Sequence, residues 1–128
     1  MERKVLIVDD EPNIRILLEQ ALEDLEDEGV ELITAQNGME ALDIIEKEKP
    51  QLVFLDVMMP KKNGFEVCQT VKQNRDLKEV YIIMLTAKGQ EFDKNKGMES
   101  GADLYMTKPF RPKEVLKKSI DVLGLELD

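Results

Sequence analysis

The chain has 128 residues, with 18 basic and 27 acidic side chains and a formal net charge of −9. This length suits one domain that can bury a core without disulfides or a structural metal, and the excess of acid argues against binding of nucleic acid by this chain alone. With one cysteine and no histidine, an internal disulfide is impossible, and zinc and haem sites lack their usual ligands. No apolar run approaches the roughly 18 residues that span a membrane, so the sequence predicts a soluble, cytoplasmic protein without membrane insertion.

Five short apolar segments predict β-strands. The first, third and fourth are almost continuously apolar, which is typical of strands buried on both faces of a parallel sheet. The second alternates between apolar and polar residues, so we expect it nearer an edge of the sheet. The predicted strands are residues 5–8, 30–35, 52–55, 80–85 and 104–106.

Segments with helical periodicity separate these strands. Pro12 begins the first helix, whose apolar residues recur at three- and four-residue steps as far as Leu25, and Gly29 ends it. The fourth helix, across residues 88–101, has a weak pattern and is predicted because parallel strands need a crossover. Five β-α repeats predict an α/β fold, a parallel sheet covered by helices on both faces. Asn37 is predicted to cap the second helix, and the third and fifth helices are predicted to begin at about Gly64 and at Pro112.

Polar side chains follow four of the predicted strands, at the point where each strand ends. Because the carboxyl ends of parallel strands meet at one edge of the sheet, we expect these side chains to converge. They comprise three carboxylates, one hydroxyl and one ammonium. The residues are Asp9, Asp10, Asp56, Thr86 and Lys108.

Each of these residues has an ordinary structural explanation, as a helix cap, a turn residue, a strand residue or an exposed lysine. Together they indicate more, because Asp9, Asp10 and Asp56 would raise one another's pKa unless a cation neutralised them. Hard oxygen ligands suit Mg²⁺, which keeps several waters and shares phosphate oxygens. The single ammonium of Lys108 suits the remaining charge of a phosphoryl group.

Seven short motifs follow one another along the chain. They are VDDE at 8–11, LDVMMP at 55–60, NG at 63–64, LTA at 85–87, GAD at 101–103, Tyr105, and KPF at 108–110. Their order and spacing resemble those of response-regulator receiver domains, the CheY-like superfamily of two-component signalling. The resemblance extends from Lys4 to about Leu123 and implies a single receiver domain over residues 1–128. It also implies a doubly wound, five-stranded parallel sheet with five helices in the flavodoxin-like order.

The resemblance implies a role for each chemical residue. Asp56 corresponds to the phosphoacceptor, and Lys108 corresponds to the lysine that holds a phosphoryl oxygen. Asp10 corresponds to the direct Mg²⁺ ligand, and Asp9 to the acid that acts mainly through water. The main-chain carbonyl of Met58 corresponds to the third protein ligand, and Mn²⁺ is the alternative ion.

The resemblance also implies a conformational switch. Thr86 corresponds to the hydroxyl that moves to bond the phosphoryl group, and Tyr105 to the aromatic ring that turns inward behind it. Ala87 is small, as the family requires beside the site, and the Lys108–Pro109 peptide is expected to be cis. The predicted fourth helix, fifth strand and fifth helix would form the output face.

The expected partners follow from the absence of histidine in this chain. The phosphodonor must be another molecule, either a small phosphodonor or, by resemblance, a sensor histidine kinase or a histidine phosphotransfer protein. The output would pass to a downstream protein or to an effector domain separated from this chain. Leu104 stands where many paired receivers of winged-helix transcription factors carry a second acid, so we expect a monomer or a weak dimer.

Three other classes of protein compete with this interpretation. A phosphatase of the haloacid-dehalogenase type needs a second Asp two residues after Asp56, where Met58 stands, so we expect no enzyme beyond self-directed phosphotransfer and autodephosphorylation. A flavin or dinucleotide binder needs glycines in the first turn, which this chain lacks there. A receiver-like interaction module that works without phosphorylation stays open.

Overall fold

The computed structural model describes residues 3–57, 59, 62–87 and 101–125. In these residues five strands alternate with helical segments. The strands are β1 (Arg3–Val8), β2 (Val30–Ala35), β3 (Leu52–Asp56), β4 (Tyr81–Ala87) and β5 (Leu104–Lys108). The helices are α1 (Pro12–Ala21), α2 (Glu23–Glu26), α3 (Gly38–Glu48), α4 (Gly64–Gln73) and α5 (Pro112–Leu123). The helix predicted across residues 88–101, the fourth in the sequence analysis, is not α4 and lies outside the described residues except for Gly101.

All strand pairs are parallel, in the order β2-β1-β3-β4-β5. This order confirms the predicted doubly wound α/β fold. The three central strands are those with nearly continuous apolar sequences, because a strand with helices on both sides needs two apolar faces. β2 alternates between buried and more exposed residues and lies at an edge, as predicted.

Two hydrophobic cores lie on opposite faces of the sheet, because successive strand residues point to opposite sides. In β1, Val5 and Ile7 pack in the core with residues of α1 and α5, whereas Leu6 and Val8 pack in the core with residues of α3 and α4. Cys68 is fully buried in the core that contains residues of α3 and α4, where it is a packing residue.

The first helix is shorter than the sequence predicts. A single helix was expected from Pro12 to about Leu25, but α1 ends at Ala21 and α2 forms one separate turn. Leu22, with φ −103° and ψ 7°, has left the helical conformation. Leu22 and Leu25 are nevertheless both fully buried. The apolar spacing therefore continues across a break in the backbone, and the periodicity alone cannot reveal the break.

Asparagine caps set the beginnings of the two helices that follow β2 and β3. The Asn37 side chain accepts a hydrogen bond from the Glu40 N–H at 2.9 Å, which confirms the predicted cap. Asn63 and Glu66 form a reciprocal capping box, with bonds of 3.0 and 3.3 Å. These caps satisfy main-chain donors of the first helical turn, and they fix where α3 and α4 approach the carboxyl edge of the sheet.

The other end of α4 is fixed by Lys72. Its ammonium donates to the main-chain oxygens of Val80, at 2.6 Å, and Lys78, at 3.0 Å, and to Asp103 Oδ2, at 2.7 Å. The same carboxylate oxygen accepts the N–H of Ile82 at 2.9 Å. Asp103 directly precedes β5, so Lys72 ties the last turn of α4 to the beginnings of β4 and β5.

None of the helices that the structure describes is long and apolar enough to cross a lipid bilayer.

Candidate functional site

Three carboxylates meet at the carboxyl edge of the sheet. Asp9 and Asp10 follow β1, and Asp56 is the last residue of the neighbouring strand β3. One carboxylate oxygen from each of the three residues lies within 4.8 Å of the others. Asp9 and Asp56 are buried, at 0% and 5% exposure, whereas Asp10 is exposed. The structure thus brings together the acids that the strand ends predict.

Asp9 is held at four points. Its N–H donates to the Ala35 main-chain oxygen at 3.2 Å. Its Oδ1 accepts the Glu11 N–H at 2.9 Å, and its Oδ2 accepts the Lys108 ammonium at 2.8 Å. The guanidinium of Arg15, on α1, donates to its main-chain oxygen at 2.5 Å. Both its peptide groups and its carboxylate are therefore fixed.

Lys108, the last residue of β5, places its ammonium between two of the carboxylates. It lies 2.8 Å from Asp9 Oδ2 and 3.3 Å from Asp56 Oδ1. Burial by itself lowers the pKa of Lys108, but the hydrogen bond to Asp9 and the charges of Asp56 and Asp9 outweigh burial and raise the pKa above its usual 10.5. The ammonium is therefore protonated across the physiological pH range.

One ammonium does not balance three carboxylates, and Asp56 shows the imbalance. Burial of its carboxyl group and, next, the negative charge of Asp9 raise the pKa of Asp56 from 3.8 to about 7, with a smaller contribution from Asp10. The charge and hydrogen bond of Lys108 lower the pKa but do not cancel these effects. At neutral pH the positive charge of Lys108 therefore does not balance the negative charge of the three acids.

The donor set fits a small divalent cation. Three carboxylate oxygens that lie within 4.8 Å of one another, two of them on buried residues, are hard ligands of the kind that Mg²⁺ prefers. A cation there would also relieve the repulsion that raises the pKa of Asp56. Met58, whose main-chain carbonyl the resemblance assigns as a further ligand, lies outside the described residues.

Two glycines let helices approach the main chain beside Asp56. A Cβ atom on Gly64 would lie 2.3 Å from the main-chain oxygen of Asp56, and a Cβ atom on Gly38 would lie 2.0 Å from the main-chain oxygen of Lys62. The N–H of Gly64 also donates to the Val57 oxygen at 2.9 Å. α3 and α4 therefore pack directly against the two ends of the loop that follows β3.

Thr86 and Tyr105 lie on neighbouring strands near this cluster. Thr86 is 2% exposed and pairs with Thr107 across β4 and β5, whereas Tyr105 pairs with Met84. The Tyr105 ring is half-buried and packs against the core that contains residues of α3 and α4. The Lys108–Pro109 peptide is cis, as expected.

Sequence reasoning missed Arg15 and Gly38. Both act on main-chain oxygen atoms of residues that lie elsewhere in the chain, and no side-chain pattern marks such a partner. A usable signal exists for Arg15, because an arginine early in a helix that directly follows two site acids is within reach of their main chain. Gly38 has a weaker signal, since glycine is a poor helix former at the beginning of a helix.

A five-stranded parallel sheet in this order, with three carboxylates and an ammonium at its carboxyl edge, defines a CheY-like α/β protein. The family model described as "Response regulator receiver domain" matches residues 5–120. The chain belongs to this family, and it is a signalling domain of two-component response regulators.

Comparison with individual proteins agrees with this assignment. The alkaline phosphatase synthesis transcriptional regulatory protein PhoP of Bacillus subtilis is 52% identical over 115 residues, which make up 90% of this chain and 46% of that protein. The chain spans about half the length of the curated relatives it matches. The chemotaxis response regulator CheY4 of Vibrio cholerae is 35% identical, with a TM-score of 0.82 and coverage of 95% of this chain and 99% of that one. The BeF3-activated DrrB receiver domain is 34% identical, with a TM-score of 0.83 and coverage of 97% and 99%.

Proposed function

We propose that this receiver accepts a phosphoryl group on Asp56, with the help of Mg²⁺, and transmits the signal by changing the surface around β5. The observation that carries the proposal is the position of Lys108, whose ammonium lies 2.8 Å from Asp9 and 3.3 Å from Asp56 within the cluster of acids. The cluster is short of positive charge. An ammonium and a divalent ion around one carboxylate are the groups that stabilise phosphoryl transfer.

The proposed ligands of Mg²⁺ are Asp10, Asp56 and the main-chain carbonyl of Met58, while Asp9 acts mainly through water. When bound, the ion supplies positive charge to the phosphoryl oxygens. Asp9 has a second task, because its Oδ2 bonds Lys108 and its Oδ1 is bonded to the Glu11 N–H. It therefore sets the position of the ammonium.

Asp56 acts as the nucleophile. One of its carboxylate oxygens attacks the phosphorus of a phosphohistidine, the P–N bond breaks, and the donor imidazole leaves with the electron pair of that bond. Lys108 already contacts Asp56 Oδ1 at 3.3 Å. Its ammonium can keep its bond to Asp9 and follow the negative charge onto a phosphoryl oxygen. Water later hydrolyses the acyl phosphate, and self-directed phosphorylation and dephosphorylation are the only reactions that we propose for this chain.

The output proposal depends on Thr86 and Tyr105. A phosphoryl group adds negative charge and acceptor oxygens next to the end of β4. Thr86 reaches one of these oxygens by an inward movement, and the Tyr105 ring fills the vacated volume, because a void in a packed core is unfavourable. The changed surface would include β5 and α5.

The proposed partners are a sensor histidine kinase or histidine phosphotransfer protein upstream, and a downstream protein or effector domain. The relative from Bacillus subtilis is by name a transcriptional regulatory protein. This chain spans about half of that relative's length. We therefore propose that an effector domain takes up the signal from this receiver domain.

Incubation with acetyl phosphate and Mg²⁺, followed by intact mass measurement, tests the proposal. We expect one added phosphoryl group, no addition to Asp56→Asn, and no addition when EDTA removes the metal. Asp103→Asn is the matched control, because Asp103 bonds Lys72 rather than the site, and it should accept the group normally. Mg²⁺ binding without any phosphoryl addition would overturn the proposal in favour of an interaction module that works without phosphorylation.

A further inference from the structure

Arg15 bonds a main-chain oxygen in the turn that carries Asp9 and Asp10. It lies on α1, partly exposed, and its Nη1 donates to the main-chain oxygen of Asp9 at 2.5 Å. Asp9 itself is fully buried. The main chain of Arg15 is fixed separately, since its N–H donates to the Glu11 oxygen at 3.2 Å. Arg15 therefore connects the first helix to the turn that carries two of the three acids.

The accepting oxygen belongs to the peptide group between Asp9 and Asp10. A peptide group is planar, so the direction of the Asp9 carbonyl fixes the plane that includes the Asp10 N–H and Cα. Asp9 has its own restraints on its amide and its carboxylate. The Asp10 side chain, by contrast, is exposed. The orientation of the Asp10 carboxylate toward the cluster therefore depends strongly on the peptide plane that Arg15 holds.

We propose that Arg15 is a positioning residue for the metal site, which holds the Asp9–Asp10 peptide so that the Asp10 carboxylate faces Asp9 and Asp56. This inference rests on the proposed function, because it concerns the Mg²⁺ that the three acids would bind. Arg15 carries no oxygen ligand, so it would not hold the ion itself. It acts on a ligand through the main chain, as outer groups around metal sites do.

The charge of Arg15 and its hydrogen bond have opposite effects on Mg²⁺ affinity. A guanidinium near three carboxylates also repels a cation, so its electrostatic effect alone would weaken Mg²⁺ binding. Removal of the charge would then strengthen binding. Loss of positioning has the opposite effect, since a misdirected ligand weakens binding. The direction of the change in Mg²⁺ affinity therefore separates the two roles.

The test compares Mg²⁺ affinity in the wild type, Arg15→Met and Arg15→Lys by amide NMR titration with Mg²⁺ alone. Methionine keeps much of the length of the side chain but cannot donate a hydrogen bond. We expect Arg15→Met to weaken Mg²⁺ binding about ten-fold, although it removes a repelling charge. We expect Arg15→Lys, which keeps both a donor and the charge, to recover part of the lost affinity.

Arg3→Met is the matched control. Arg3 Nε donates to the main-chain oxygen of Leu123 at 3.1 Å, so it makes the same kind of contact at the other end of the sheet. Its removal changes the net charge equally and tests the general loss of an arginine-to-carbonyl bond. We expect Arg3→Met to lower the melting temperature but to leave Mg²⁺ affinity unchanged.

The outcomes also separate this inference from the proposed function. Unchanged or tighter Mg²⁺ binding in Arg15→Met overturns the positioning role, even if the wild type is phosphorylated normally. An equal loss of affinity in Arg3→Met overturns it as well, because the effect would then be general. A wild type that binds Mg²⁺ but takes no phosphoryl group refutes the proposed function alone. A wild type that binds no Mg²⁺ refutes both.

Discussion

Asp56 is 5% exposed, and one of its carboxylate oxygens lies within 4.8 Å of a carboxylate oxygen of Asp9, which follows the neighbouring strand β1. Its burial, together with that negative charge, raises its pKa to about 7. A group in this state opposes folding whenever it is ionised. The same residue is the proposed nucleophile, which must be ionised to react. The site therefore holds an unfavourable charge that only a cation or a proton relieves.

The sign of the pH dependence follows from this shift. Asp56 titrates near 3.8 in the unfolded chain and near 7 in the metal-free folded protein, so the folded state binds more protons between these values. Stability from this group is present below about pH 4 and is lost as the pH rises through 7. Asp56→Asn keeps the shape but cannot ionise. We expect it to exceed the parent in unfolding free energy by about 1–3 kcal/mol at pH 8, and by less at pH 5.

Urea unfolding in EDTA at the two pH values measures this difference. Asp43→Asn is the control, because Asp43 is exposed on α3 and its replacement changes the net charge equally. A gap between Asp56→Asn and the parent that stays constant from pH 5 to pH 8 would contradict the raised pKa. Saturating Mg²⁺ should narrow the gap at pH 8 by stabilising the parent.

The packing of α3 against the loop after β3 decides the effect of a substitution at Gly38. Helix propensity favours alanine over glycine by up to about 1 kcal/mol. The added Cβ, however, would stand 2.0 Å from the Lys62 main-chain oxygen. Overpacking of this kind costs about 1–3 kcal/mol, and a main-chain atom cannot rotate away as a side chain can. We therefore expect Gly38→Ala to destabilise the protein by about 1–2 kcal/mol.

The loop that Gly38 contacts begins directly after Asp56, so Gly38→Ala should also weaken Mg²⁺ binding. Chemical unfolding and a Mg²⁺ titration measure the two effects. Met39→Ala serves as the control, since Met39 is the next residue of α3 and its side chain is 51% exposed. If Gly38→Ala were as stable as the parent, the contact between α3 and the loop would be looser than the structure indicates.

Some features of the strands, helices and site were predictable from the sequence, and others were not. The strands and the edge position of β2 followed from the apolar patterns, because strands buried on both sides need two apolar faces. The full strand order was an expectation from the resemblance to receiver domains. The break at Leu22 did not follow, since Leu22 and Leu25 are buried just as a continuous helix would bury them. Site residues at strand ends were predictable from topology. Arg15 and Gly38 were missed, because each contacts a main-chain oxygen, and no side-chain pattern marks such a partner.

The proposed switch must connect the cluster of acids to the surface of β5. Thr86 is buried at the end of β4, and Tyr105 is half-buried on β5. We expect Thr86→Ala to accept a phosphoryl group but to lose the movement of Tyr105, because the methyl group cannot bond a phosphoryl oxygen. The two conformations must be close in free energy for so few bonds to shift their populations.

Amide NMR with beryllofluoride measures this effect across residues 101–110. The control is Thr107→Ala, because Thr107 pairs with Thr86 across the two strands but is exposed. We expect the shifts caused by beryllofluoride to persist in the control and to shrink in Thr86→Ala. Equal shifts in both variants would mean that the signal leaves the site through Lys108, the metal or α4 rather than through Thr86.

The attachment of α4 at both ends has a mechanical consequence. Its first residue, Gly64, lies against the Asp56 main chain at the carboxyl edge, and Lys72 in its last turn bonds Asp103 at the beginning of β5. A helix of ten residues is about 15 Å long and resists compression. α4 therefore forms a stiff connection between the carboxyl end of β3 and the beginning of β5. If phosphorylation at Asp56 displaces the loop after β3, as proposed, α4 offers a second route to the start of β5, and the shifts that remain in Thr86→Ala measure its contribution.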